Sequence, residues 1–404
     1  MPKNLLLNCF LGMRRLFTTL YIYISLLLMC AFSAKAQDSI RVSLLTCEPG
    51  TEIYALFGHT ALRFEDPSRD IDWVFNYGVF SFNTPNFVYR FVKGETDYQL
   101  GIVPFRYFEA EYAMRGSSVY QQTLNLKPDE KLRLWHLLEE NYLPQNRVYR
   151  YNFFYDNCTT RARDRIEQCI DGKIEYPEAP GGLSFRDIVH QYTEGYAWEE
   201  FGIDLCLGAQ ADQTISGREQ MFAPFYMKEA AEKAVIVSSD GTRRPLVLEE
   251  TKIVDVQHES TKPLLPFSPF VAGVVLLFVS IIIAAYYLYL RRIPHWWYVL
   301  LFAVQGVAGC IIAFLFFCSV HPTVGSNWLL ALLNPLPLIY LPFLIYHAVK
   351  GKKEPYHLVN FAYLTLFIIL IPVLPQEFNS TILPLALSLW VASASYLIIM
   401  KKKK

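Results

Sequence analysis

The sequence predicts an α+β domain exported from the cytoplasm, followed by an α-helical membrane domain of about five spans. Three observations lead there. Charge is unevenly divided: of 37 Lys+Arg and 37 Asp+Glu, residues 37–266 hold 24 basic and 35 acidic side chains, and residues 267–404 hold nine and two. The C-terminal stretch is a succession of apolar blocks close to the ~20 residues that cross a bilayer. Its basic residues fall in three places: Arg291-Arg292, Lys350/Lys352/Lys353, and the terminal lysines from Lys401. Charged residues make up 18% of the chain, below the roughly 25% of a soluble domain. A formal net charge of zero argues against a nucleic-acid partner, because nothing offsets the phosphates.

Residues 1–36 read as an export signal. Lys3, Arg14 and Arg15 form a basic start, residues 16–32 are apolar, and Ala34-Lys35-Ala36 offers small residues for cleavage before Gln37. The alternative is an uncleaved first membrane helix. Residues 37–262 then form the exported domain and 263–404 the membrane domain. In the exported domain, 40–46, 60–64 and 71–77 alternate as strands, with a turn at Asp66-Pro67-Ser68 between the last two. A helix opens at Pro128 and runs to 141 with Leu132, Trp135 and Leu138 on one face. A second helix spans 158–170, with Ala162, Ile166 and Ile170 spaced by four and Asn157 as N-cap. Residues 171–184 read as loop, and 236–265 as a short strand region and a linker ending in Pro263.

The apolar blocks run over 267–290, 296–320, 328–348, 358–374 and 380–400. With five spans the basic clusters alternate onto one side, which the positive-inside rule makes the cytoplasm. The C-terminus is then cytoplasmic and the acidic domain periplasmic, in agreement with the export signal. The expected location is the bacterial inner membrane, with the bilayer itself as a partner. Four cysteines in the exported part (Cys47, Cys158, Cys169, Cys206) invite disulfides in an oxidising compartment.

Two clusters carry chemistry: Phe57-Gly58-His59-Thr60-Ala61-Leu62-Arg63 and Tyr155-Asp156-Asn157-Cys158-Thr159-Thr160-Arg161. A cysteine in the first turn of a helix gains from the helix dipole and free N–H groups, which favour thiolate and can hold an oxyanion. A histidine beside it serves as base and then acid when a third polar group orients it. Asp72 and Asn76 alternate onto one strand face and are both candidates for that third group, with Asn76 favoured. Taken singly, an extracytoplasmic cysteine is more often half of a disulfide, and a strand histidine more often structural. It is their joint occurrence, ahead of a membrane domain, that favours catalysis. No close Cys/His spacing supplies a zinc site, and no metal or soluble cofactor is expected. Arg161, Arg163 and Arg165 read as a solvated helix face. The aromatic stretch 79–100 suits either core packing or contact with acyl chains. His321 and Asn327 lie in the outward turn between the second and third blocks, where polar groups at membrane depth tend to be functional.

The order, His59 well before Cys158, resembles the circularly permuted papain-like (NlpC/P60-like) arrangement, in which an Asn-Cys dipeptide also occurs. Over nearly the whole mature chain the sequence resembles the Lnb-type bacterial lipoprotein N-acyltransferases. The resemblance rests on Cys47-Glu48-Pro49-Gly50, on the His59 and Cys158 clusters, on Phe75-Asn76-Tyr77-Gly78, on Phe91-Val92-Lys93-Gly94, and on His321-Pro322 with Asn327-Trp328. It implies transfer of a fatty acyl group from a phospholipid donor to the α-amine of a diacylated lipoprotein acceptor. Cys158, His59 and Asn76 would be catalytic; Arg63, Asn157, His321 and Asn327 would contact substrate. Two other readings remain: a membrane-tethered cysteine peptidase or amidase, and a non-enzymatic envelope assembly protein with Cys158 in a disulfide.

Overall fold

The computed structural model describes residues 18–23, 39–179, 181–256 and 265–402. The expected cleavage site before Gln37, most of the export signal, and the join at 262/263 lie outside them. The exported part is built on a seven-stranded antiparallel sheet. Its strands are β1 (Arg41–Cys47), β2 (His59–Asp66), β3 (Ile71–Val79), β4 (Asp97–Pro104), β5 (Val119–Leu124), β6 (Val148–Arg150) and β10 (Val247–Val254). Their order is β10-β5-β1-β2-β3-β4-β6.

Both faces of this sheet are covered, which is why β1 is buried from Val42 to Cys47 without a polar alternation. On one face Val42, Leu44, Leu62, Phe64, Phe75 and Tyr77 pack in one core. Against them lie Leu134, Trp135 and Leu138 of the helix Pro128–Tyr142 and Ala162 and Ile166 of the helix Cys158–Cys169. On the other face Leu45, Ala61 and Val74 meet Phe105, Phe108 and Tyr112 of the helix Phe105–Arg115. Each fully buried large apolar side chain stabilises the fold by about 1.5–3 kcal/mol. The turn from β2 to β3 forms because Asp66 Oδ1 accepts from the Ser68 N–H and hydroxyl while Asp70 takes φ 54.

The expected loop 171–184 is instead partly a strand. β7 (Gly172–Glu175) pairs with β8 (Val235–Ser238), and β8 with β9 (Arg243–Pro245), in a second small sheet. Four residues with one apolar anchor, Ile174, leave too little alternation to read.

Among the described residues five helices are long and apolar enough to cross a membrane: Pro269–Leu290, His295–Cys318, Trp328–Val349, Tyr356–Val373 and Ile382–Lys402. The second and third press together at Gly306 and Gly309, where an added Cβ would lie 2.4 Å from Leu338 Cβ and 2.1 Å from the Asn334 carbonyl carbon. Small residues at such positions let membrane helices pack backbone to backbone.

Candidate active site

β2 begins at His59. Gly58 before it has φ +73, and a Cβ there would sit 2.5 Å from the Cys47 carbonyl oxygen. Only glycine makes that turn without strain. Two strands meet at the bulge between Asn76 and Val79, where Gly78, at φ +90, holds its Cβ position 3.8 Å from Cys158 Cβ. That is ordinary van der Waals contact, so β3 passes directly beside Cys158 at this point.

Cys158 is the first residue of its helix. Asn157 caps that helix: its Oδ1 accepts from the Thr159 and Thr160 N–H groups at 2.9 Å, and the Thr160 hydroxyl accepts from the Asn157 N–H at 2.9 Å. The Thr60 and Thr159 hydroxyls bond at 3.0 Å, tying β2 to the helix and so His59 to Cys158. His59 Nε2 lies 2.5 Å from Asn76 Oδ1. An amide oxygen only accepts, so Nε2 carries the proton and Nδ1 is left as the basic nitrogen.

Electrostatics follow from this packing. Burial pushes the Cys158 thiol up. The charge and hydrogen bond of His59, the Thr60 N–H and the Thr159 hydroxyl outweigh it and bring the thiol from 9.0 down to about 7. For His59 burial acts downward, but the sulfur's charge and hydrogen bond, with Asn76, hold the imidazole above its ordinary 6.5. Each group thus favours the charged form of the other. The other exported thiols are unpaired as well, against the expectation of disulfides, and none is activated. Burial pushes Cys47 well up, Cys169 to about 12 and Cys206 to about 11.

Of the two candidates for the third group, Asn76 reaches His59. Asp72 is held by Arg63 through a two-pronged bond at 2.8 and 2.9 Å. The residues expected to contact substrate are otherwise engaged. Arg63 also donates to Gln121 and lies over the Phe105 ring at 3.4 Å. The Asn157 amide is consumed by the cap and by the Phe153 and Phe222 carbonyls. Asn327, 2% exposed, donates to the Leu205 carbonyl while its Oδ1 accepts from Leu329 N–H and Gln376 Nε2. His321 Nε2 donates to the Phe91 carbonyl at 2.9 Å. Polarity marked these residues, but each uses its polar atoms to hold another segment in place.

Of the three arginines expected on a solvated face, Arg165 bonds Gln168 at the exposed surface, while the other two are drawn into the fold. Arg161 makes a two-pronged pair with Asp156 and lies 3.6 Å over the Tyr149 ring; Arg163 is 6% exposed and binds Asp164 and the Arg218 carbonyl. The Tyr149 hydroxyl is buried with no hydrogen-bond partner among the described residues. Sequence reasoning passed over Thr60, Thr159 and Tyr149; the first two sit directly beside His59 and Cys158, and that adjacency was the available signal. His190, Glu200 and Asp204 bring ligand-type atoms within 4.8 Å of one another. The Arg186 guanidinium already binds Asp204 at 2.6 Å, so this is an ion-pair cluster and an unfavourable place for a metal cation.

The exported domain matches the family model described as the Lnb N-terminal periplasmic domain over residues 33–193, and the helices match the Lnb transmembrane domain over residues 259–404. No curated protein and no solved structure matches the chain. His59, Asn76 and Cys158 fall within the first match, and His321 and Asn327 within the second. Both parts are present, in this order, over most of the length: the chain belongs to the Lnb family, an inner-membrane protein with a periplasmic α/β domain carried on five transmembrane helices.

Proposed function

We propose that the protein transfers a fatty acyl group from a phospholipid, through a thioester on Cys158, to the N-terminal amine of a diacylglyceryl-cysteine lipoprotein. The observation that carries the reading is an acidified cysteine at a helix N-terminus, beside a histidine oriented by Asn76, in a chain with both Lnb parts. The helix on the sheet strand bearing His59 is also what a permuted papain-like domain requires. Five spans are an odd number, so the C-terminus lies on the cytoplasmic side, opposite the periplasmic domain.

The steps balance without a cofactor. The Cys158 proton passes to His59 Nδ1 and the sulfur attacks an ester carbonyl of the phospholipid. At the helix start the Thr159 and Thr160 N–H groups are taken by the Asn157 side chain and that of Arg161 by the Asn157 carbonyl, so it is the Cys158 N–H that faces the oxyanion. The C–O bond breaks, His59 returns the proton to the leaving alkoxide, and a lysophospholipid departs. The lipoprotein amine then attacks the thioester, His59 takes its proton, and the C–S bond breaks to give an amide and the free thiol. A thioester is more reactive than the ester donor and far more so than the amide product, so its formation is reversible and the attack of the amine, which ends in an amide, draws the sequence forward.

Mass spectrometry of lipoprotein N-termini in cells depleted of the protein, complemented with wild type or Cys158→Ala, tests this. Wild type restores the N-linked chain and the variant does not. Full N-acylation with Cys158→Ala rejects the reading. Cleaved peptide in place of a new acyl chain selects the peptidase or amidase instead.

A further inference from the structure

On the proposed function a lipid ester must reach a sulfur carried on a domain outside the bilayer, and a series of aromatic side chains runs from the second span toward the strand beside that sulfur. The helix Phe87–Lys93 is fastened to the outer end of the second span. The Val320 N–H donates to the Lys93 carbonyl at 2.9 Å, and His321 Nε2 to the Phe91 carbonyl at 2.9 Å. Gly94, at φ +79, caps the helix so close to the span that an added Cβ would lie 3.0 Å from Val320 and 3.1 Å from the His321 nitrogen. The Tyr89 ring is 5.8 Å from Phe314, a residue inside the span. These contacts hold the helix at the level of the span's end.

At that level it turns apolar side chains outward. Val88 is 72% exposed, Tyr89 54% and Phe91 44%, and Phe82 beside them is 62% exposed. Its cations point elsewhere, with Arg90 on Asp97 and Lys93 on Glu95. Left in water, such a patch is unfavourable; in the acyl region of a leaflet it is not. The patch does not end at the helix. Phe87 stacks on Phe91 at 6.2 Å and on Phe80 at 5.5 Å, and Phe80 lies 6.1 Å from Tyr54, itself 58% exposed. Phe80 follows Gly78 by two residues, and Gly78 is the residue packed against Cys158.

We infer that the ridge of Tyr54, Phe80, Phe82, Val88, Tyr89 and Phe91 enters the outer leaflet and holds a phospholipid acyl chain, leading its ester to Cys158. The delivery step rests on the acyl-transfer reading above; the lipid contact does not. The anchoring to a membrane span singles out lipid over a soluble protein partner as the occupant.

The test uses the full chain in phospholipid vesicles that contain a phospholipid with a diazirine in one acyl chain. After illumination, adducts are expected on the peptide 79–93, with adducts on the spans as internal standard. In the Phe82→Ser/Val88→Ser/Phe91→Ser variant the adducts on 79–93 disappear and acyl-Cys158 formation from vesicle lipid falls about tenfold or more. Alkylation of Cys158 by water-soluble iodoacetamide stays within about twofold of wild type, because the thiol is untouched. A Phe82→Leu/Phe91→Leu variant, apolar still, keeps both. Absence of adducts on 79–93 in wild type, or undiminished acylation in the serine variant, overturns the inference. Adducts on the ridge with no acyl group on wild-type Cys158 uphold the lipid contact and overturn acyl transfer.

Discussion

Replacing His59 by alanine separates an activated sulfur from an ordinary one. With its pKa at about 7, half of Cys158 is thiolate near pH 7, whereas at 9.0 only about 1% is. Loss of the imidazole therefore lowers the ionised fraction ~50-fold. A more basic thiolate is also a better nucleophile, with a Brønsted slope of about 0.45, which returns ~8-fold. The expected result in His59→Ala is alkylation of Cys158 slower by roughly sixfold near pH 7, and slower still to the extent that burial outweighs the remaining Thr60 N–H and Thr159 hydroxyl. The sign fixes the profile. A thiol held down by a neighbouring cation reaches its plateau about one to two pH units earlier than a free one. Wild type should thus level off near pH 8, while the variant keeps rising through about pH 9. Iodoacetamide pulse labelling across pH, with the Cys158 peptide quantified by mass spectrometry, reads this directly and avoids interference from Cys310 and Cys318. Superimposable profiles would refute the ion pair, and with it the reason for assigning Cys158 the nucleophile.

Asn76→Ala removes the 2.5 Å bond that aims His59; acyl transfer should fall by up to ~100-fold while the Cys158 peptide still alkylates, because the base is present but misaligned. Gly58→Ala forces φ +73 on an alanine and a 2.5 Å approach to the Cys47 carbonyl. Destabilisation of at least ~1–2 kcal/mol follows, seen as a melting temperature lower by several degrees in detergent-solubilised full-length protein. Arg186→Met strips the shared partner from Asp204 and Asp212, whose side chains are 2% and 13% exposed, and should cost about 3–5 kcal/mol in the same assay. Arg186→Met/Asp204→Asn should recover part of that loss; no recovery would mean the stability comes from packing and not from paired charge.

The elements carrying the site were legible because they obey local rules. The period-two runs at 60–64 and 71–77 became β2 and β3, and Asn157 followed by the Ala162 and Ile166 spacing marked a capped helix. The five spans were legible because a bilayer demands length and apolarity, and little else competes with that demand. Residues 171–184 failed because a four-residue strand such as β7 gets its identity from its partner, β8, some sixty positions away. The disulfide expectation failed for a related reason. Compartment argues for pairing, but Cys47 lies across a strand pair from His59 and Cys169 in the opposite core, an arrangement set by the sheet and invisible in spacing.

The polar residues near the spans make the harder point. His321 and Asn327 sit where a substrate contact was expected, and they, together with Gln376 and Asn379, all reach into the periplasmic domain. Three of them end on backbone carbonyls, at Phe91, Leu205 and Leu207, and Asn379 ends on Asp204. A carbonyl belongs to every residue, so no pattern of side chains announces where it will be used. Gly208 lets this contact close, since a Cβ there would lie 2.6 Å from the Ser326 carbonyl carbon. Several such bonds, each worth about 1 kcal/mol net, together fasten the domain to the ends of the spans. For the proposed acyl transfer, that placement would matter more than another polar contact. A chain embedded in a leaflet has little freedom to rise, so the sulfur must be held at its level. On the proposed function, the polar atoms used for docking would be what keeps Cys158 at that level.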